Sequence, residues 1–81
     1  MTKWIIYAEE YSPYRRVTEY VPVPNPYGIR IRAVNVAIRL SSGARWVVDG
    51  YYLQRADRPD VRYNTLDEAK RAAEKMTGGA R

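Results

Sequence analysis

Four arginines, Arg30, Arg32, Arg39 and Arg45, fall within one short stretch rich in β-formers, and Tyr52 follows close behind. A guanidinium forks onto phosphate or carboxylate, and an aromatic beside it can stack on a base or fill a partner's pocket. A second group, "EYSPYRR" (10–16), places Tyr14, Arg15 and Arg16 with Tyr11 around a proline turn, as an exposed contact loop would. Eight tyrosines and no phenylalanine sharpen the bias, because tyrosine supplies contact area with a polar handle. The chemistry on offer is therefore binding of an anionic partner. A solvated strand face that resists aggregation through charge would have the same composition.

Catalysis is harder to build from this chain. It has no Cys and no His, which removes thiolate nucleophiles, disulfides, the commonest general base and the commonest zinc ligand. No phosphate-cradling glycine motif and no dinucleotide fingerprint is present. Asp49, Asp57 and Asp60 are the nearest thing to an acid–base set, and loop solvation accounts for all three. The nine acidic residues form no tight metal-ligating cluster, so neither an enzyme nor a cofactor is expected. Fourteen basic residues against those nine give a net charge of +5, which favours an acidic protein surface, a nucleoprotein complex, or DNA or RNA itself. No apolar run approaches the roughly 18 residues of a membrane span, and no signal peptide is visible, so a cytoplasmic protein is expected.

The elements that must carry these residues read as one small α+β domain over 1–81. "KWIIYAEE" (3–10) and "RRVTEYV" (15–21) suit an N-terminal hairpin within 1–21, turning at Pro13. Pro22, Pro24 and Pro26 then make 22–28 an extended connector, or an arm that docks on a partner. From Val34 to Leu40 apolar and polar residues alternate, and a three-residue loop "SSG" (41–43) would set Leu40 opposite Ala44, Ile38 opposite Trp46, Val36 opposite Val48 and Val34 opposite Gly50. Before Val34 the phase reverses, with Ile29, Ile31 and Ala33 apolar. Asp49-Gly50 lies at the same level, so a long ribbon (29–55), bent by a bulge, is preferred to a tight turn at Asp49-Gly50. In that register Arg39 comes close to Arg45, and Arg32 faces Tyr52. "VRY" (61–63) adds a short strand.

The C-terminal signal is a helix over 65–77. Thr65 and Glu68 form a capping box, Leu66, Ala69, Ala72, Ala73 and Met76 make one apolar stripe, and Gly78-Gly79 ends it, leaving Ala80-Arg81 frayed. The expected fold is an antiparallel sheet of three to five strands with this helix packed on it, the stripe covering Trp46, Ile38, Val36 and Val48. The order of hairpin, short strand and "YNTLDEAKRAAEKM" over 34–81 resembles the three-stranded sheet and helix of arm-type integrase DNA-binding domains. That resemblance implies a sheet that meets DNA and a helix that braces it; residues 1–28 have no counterpart in it.

The function expected from these features is a small non-enzymatic binding protein. Phage and mobile-element accessory proteins of this size act by occupying and blocking a host nucleic-acid-processing complex, as anti-CRISPR and polymerase-inhibiting proteins do. The alternative is a DNA- or RNA-binding domain that uses the basic, Tyr-containing sheet face. A homodimer is expected as well, with "RRVTEYV" or the central hairpin pairing with its twin and the Pro-rich arm lying across the neighbour.

Overall fold

The computed structural model describes residues 3–77. Five strands form one antiparallel meander in the order β1 (Lys3–Tyr11), β2 (Arg15–Val23), β3 (Arg30–Leu40), β4 (Gly43–Arg55) and β5 (Arg58–Tyr63), followed by α1 (Leu66–Thr77). Met1, Thr2, the Gly78-Gly79 helix stop and Ala80-Arg81 lie outside the described residues.

Each connection has a local chemical cause. Between β1 and β2, Ser12 closes the turn with its hydroxyl, which accepts from the Arg15 amide and donates to the Arg15 carbonyl, both at 3.0 Å. Between β2 and β3, the Asn25 side chain mimics a strand partner: its Oδ1 accepts from the Ile29 amide at 2.8 Å and its Nδ2 donates to the Ile29 carbonyl at 2.9 Å. Gly28, at φ 64°, supplies the left-handed residue that this loop needs. The Pro-rich segment is thus no free arm. Pro22 and Val23 complete β2, Pro22 is buried opposite Trp4, and the rest folds back onto its own chain. Pro22 is tolerated because β2 has a partner on one side only at that level, the pairing with β3 ending at Tyr20–Ile31.

The central ribbon departs from the expected register at its tip. Leu40 pairs with Gly43, so the loop is the two residues Ser41-Ser42, and Arg39 faces Ala44, Ile38 faces Arg45, Ala37 faces Trp46, Val36 faces Val47 and Asn35 faces Val48. The expected pairs Leu40–Ala44, Ile38–Trp46 and Val36–Val48 do not form. Below the irregularity the expected pairs Val34–Gly50 and Arg32–Tyr52 do form, and Ala33–Tyr51 and Ile31–Leu53 continue the same register. One extra residue on β4, Asp49, reconciles the two halves, so β4 is bulged and β3 is not. Gly50 leaves room there for the Arg62 side chain to cross, since a Cβ would stand 2.5 Å from the Arg62 Nε and displace it.

An unbroken β3 has a large consequence. Its side chains alternate without interruption, so Ile29, Ile31 and Ala33 face the helix while Val34, Val36, Ile38 and Leu40 face the other way. The core under α1 is therefore Ile29, Ile31, Leu53, Ala69 and Ala73, ringed by Trp4, Tyr20, Tyr51, Tyr63, Leu66, Ala72 and Met76. The helix stripe packs as its spacing demands, and Thr65 and Glu68 close the capping box through Glu68 N to Thr65 Oγ1 and Thr65 N to Glu68 Oε1, each 3.2 Å. It covers a different part of the sheet from the expected one. Twelve helical residues span about 18 Å, whereas the molecule is 53 Å long. Helix and core occupy the base, and Trp46, Ile38 and Val48 lie beyond their reach.

Candidate binding surface at the uncovered end of the sheet

The far end of the sheet is built from the β1–β2 turn, β3 after Val34 and the first half of β4. β2 accompanies β3 as far as Val36, and the Ala37 amide makes the last bond across, to the Tyr14 carbonyl at 2.8 Å. Residues 38–45 then continue as a two-stranded ribbon for about 10 Å. Apolar side chains are left facing outward: Ile38 and Leu40 are each 45% exposed, Val48 is 52% exposed and Trp46 is 36% exposed.

Pairing fixes which residues share each face. On the face turned away from α1, Arg15 lies beside Val36, Val47 lies on the other side of Val36, and Arg45 lies beside Ile38, so an aliphatic stripe of Val36, Ile38 and Leu40 is rimmed by two guanidinium groups. At its inner end the stripe runs into the buried pair Val17 and Val34. On the helix side, Arg16 lies 4.2 Å from the centroid of the Trp46 ring, with Val48 and Arg39 beyond it. Among the described residues Arg15, Arg16, Arg39 and Arg45 form no ion pair with a carboxylate.

This regroups the residues singled out by sequence. Arg39 and Arg45 are neither opposite one another nor on the same face, so there is no Arg39–Arg45 repulsion to relieve and no four-arginine stripe. Arg15, Arg16 and Tyr14 share one end of the molecule with Arg39 and Arg45 rather than forming a separate surface. Arg30, Arg32 and Tyr52 belong to a different region, on the outer face near the base. There Glu19 sits between Arg30 Nη1 at 3.3 Å and Arg32 Nε at 3.5 Å, Glu10 approaches Arg32 at 3.9 Å, and Arg30 lies over the Tyr7 ring at 5.5 Å. The Tyr52 hydroxyl points to Asp49 Oδ1 at 3.4 Å. Glu19 and Glu10 offset the charge of Arg30 and Arg32, which leaves little of it spare for a partner, although the buried Arg32 Nε makes no hydrogen bond. The missed contributors are Trp46 and Ile38, both assigned to a core under the helix.

The acidic candidates are dispersed. Asp57 pairs with Arg55 at 2.8 Å, Asp60 accepts from Gln54 at 3.0 Å, and the Asp49 carbonyl accepts from Arg62. Among the described residues no group of three or more acidic side chains could hold a metal ion, and no helix is long and apolar enough to cross a membrane. At the β1–β2 turn the Tyr11 hydroxyl donates to the Glu9 carboxylate, and that bond, with the charge of Glu9, raises the Tyr11 pKa above its ordinary value.

Comparison with protein-family models, with curated proteins and with solved structures returns no match.

Proposed function

We propose that this protein is a non-enzymatic docking module that binds an acidic protein surface through the outward stripe Val36, Ile38 and Leu40 and its rim, Arg15 and Arg45. The observation that carries the reading is the unbroken alternation of β3, which turns Ile38 and Leu40 away from the helix and leaves them exposed between guanidinium groups. An apolar centre with an arginine rim is the composition of a protein–protein interface. Exposed aliphatics of this kind mark interaction sites on soluble domains. Occupying and blocking a nucleic-acid-processing complex in the cytoplasm, as anti-CRISPR and polymerase-inhibiting proteins do, is the biological role proposed for that docking.

Direct nucleic-acid binding is the second reading. A projecting two-stranded ribbon with Arg39 on one face and Arg45 on the other has the dimensions of a major-groove reader. Two experiments separate the readings. Retrieval of a specific protein from the cells of origin should be lost with Ile38→Glu and with Arg15→Glu/Arg45→Glu, and kept with Arg71→Glu on the helix. Affinity for a duplex or single-stranded oligonucleotide that falls steeply with salt and survives Ile38→Glu would instead favour the nucleic-acid reading.

A further inference from the structure

The outer strands of the sheet are defended against association. β1 carries a register shift between Ile6 and Ala8, with Lys3, Glu9 and Glu10 along its length. β5 carries Pro59 among Arg58, Asp60 and Arg62. Bulges, prolines and charges are the devices that keep sheet edges from pairing. β2 is an interior strand, paired on both sides from Arg16 to Tyr20, so "RRVTEYV" offers no long edge to a twin.

One further edge is open, and between Gly43 and Val48 it carries a single charge, Arg45, with no proline and no bulge before Asp49. β5 accompanies β4 only from Tyr51 onward, where Tyr51 pairs with Tyr63, so among the described residues Gly43–Val48 has no neighbour on its outer side. The Arg62 guanidinium covers the Asp49 carbonyl, bonding it through Nε at 3.0 Å, and marks where the open edge stops. Because the Ala37 amide is committed to Tyr14, the Ala37–Trp46 pair exchanges no ladder bonds. The main-chain groups of Trp46 therefore point outward, and by alternation so do those of Ala44 and Val48.

We propose that two copies of the chain join along this edge, β4 to β4, antiparallel, across a two-fold axis at Trp46, into a continuous ten-stranded sheet. The register follows from the residues. With Trp46 against the second copy's Trp46, Ala44 meets Val48 of the other chain in both directions, and all three outward-pointing residues find partners, six main-chain hydrogen bonds in total. Side chains then match by face: the tryptophans stack across the axis, Arg45 lies against Val47, and Arg45 reaches diagonally to the second copy's Asp49, whose carboxylate is on the same face. A shift toward the tip would set Arg45 against Arg45, two like charges in contact. A shift toward the base would drive the second copy's hairpin into Arg62 and β5. Both faces of the sheet stay open in this arrangement, and it shares with the docking reading only Arg45, which would then lie beside the second copy's Asp49.

Sedimentation equilibrium and residue-resolved amide exchange at 10 µM and 1 mM test this directly. The expected result is a mass approaching twice 9.4 kDa at the higher concentration, together with slower exchange of the Ala44, Trp46 and Val48 amides. The Arg45 and Val47 amides, bonded within the ribbon, should change little. A mass of 9.4 kDa at 1 mM overturns the proposal, and so does a dimer whose Ala44, Trp46 and Val48 amides exchange equally fast at both concentrations.

Discussion

Ile31→Ala and Trp46→Ala should have opposite rank to the one their sizes suggest. Ile31 is fully buried in the cluster under α1, and the substitution removes three carbons, about 2.4 kcal/mol of transfer free energy at about 0.8 per methylene. Its neighbours Leu53, Ala69 and Ala73 are held by sheet and helix and cannot collapse fully, so a cavity term brings the cost to about 3–4 kcal/mol. Trp46 is larger but lies beyond the helix with one ring face on Arg16, a contact worth about 0.5–1 kcal/mol at an exposed site. With its partial burial added, Trp46→Ala should cost about 1–2 kcal/mol. Domains of this size hold about 4–12 kcal/mol in all, so urea denaturation followed by circular dichroism resolves the two. A loss above about 3 kcal/mol for Trp46→Ala, or below about 1 for Ile31→Ala, would refute the division into covered base and uncovered end.

Four further outcomes follow from named contacts. Thr65→Ala removes the acceptor for the Glu68 amide and should cost about 1 kcal/mol of stability by chemical denaturation. Glu19→Gln leaves Arg30 and Arg32 facing one another across a neutral group and should cost about 1 kcal/mol, less at high salt, a small figure because Arg30 is well exposed. Gly50→Ala should push Arg62 off the Asp49 carbonyl, giving a lower melting temperature and faster amide exchange in β5. In a spectrophotometric titration Tyr11 should ionise later than an ordinary tyrosine, and Tyr11→Phe should abolish that late step. The tie to Glu9 holds while the hydroxyl is protonated and is lost as pH rises through the raised pKa.

Much of the fold was legible because local signals agreed with one another. The capping box at Thr65 and Glu68 with the Leu66–Met76 stripe defines the helix, and the coincidence of the Val34 phase reversal with Asp49-Gly50 locates the bulge. What sequence could not show was how two strands share a single irregularity. If both kink, the apolar face continues along the ribbon and Trp46 is core. If only β4 kinks, β3 carries its apolar side from one face of the sheet to the other, and Ile38 becomes surface. Loop length carries the same information: "SSG" reads equally as three loop residues or as two followed by a paired glycine, and one residue of difference moves Trp46 from Ile38 to Ala37. The site follows the register, since grouping Arg39 with Arg45 needs a pairing that does not form. The partners of Arg30 and Arg32 are fixed by Glu19, an acid whose position between two arginines comes from strand pairing rather than from spacing in the chain.

Contact between the uncovered end of the sheet and an acidic partner can be read residue by residue in a nuclear magnetic resonance titration of the isotopically labelled protein with a polyglutamate peptide. Peptide-induced shifts should concentrate on Arg15, Val36, Ile38, Leu40, Arg45 and Val47, and should vanish in the Arg15→Glu/Arg45→Glu protein while its circular dichroism spectrum is retained. Shifts centred instead on Arg30 and Arg32, or on Lys70, Arg71 and Lys75 of the helix, would contradict the account.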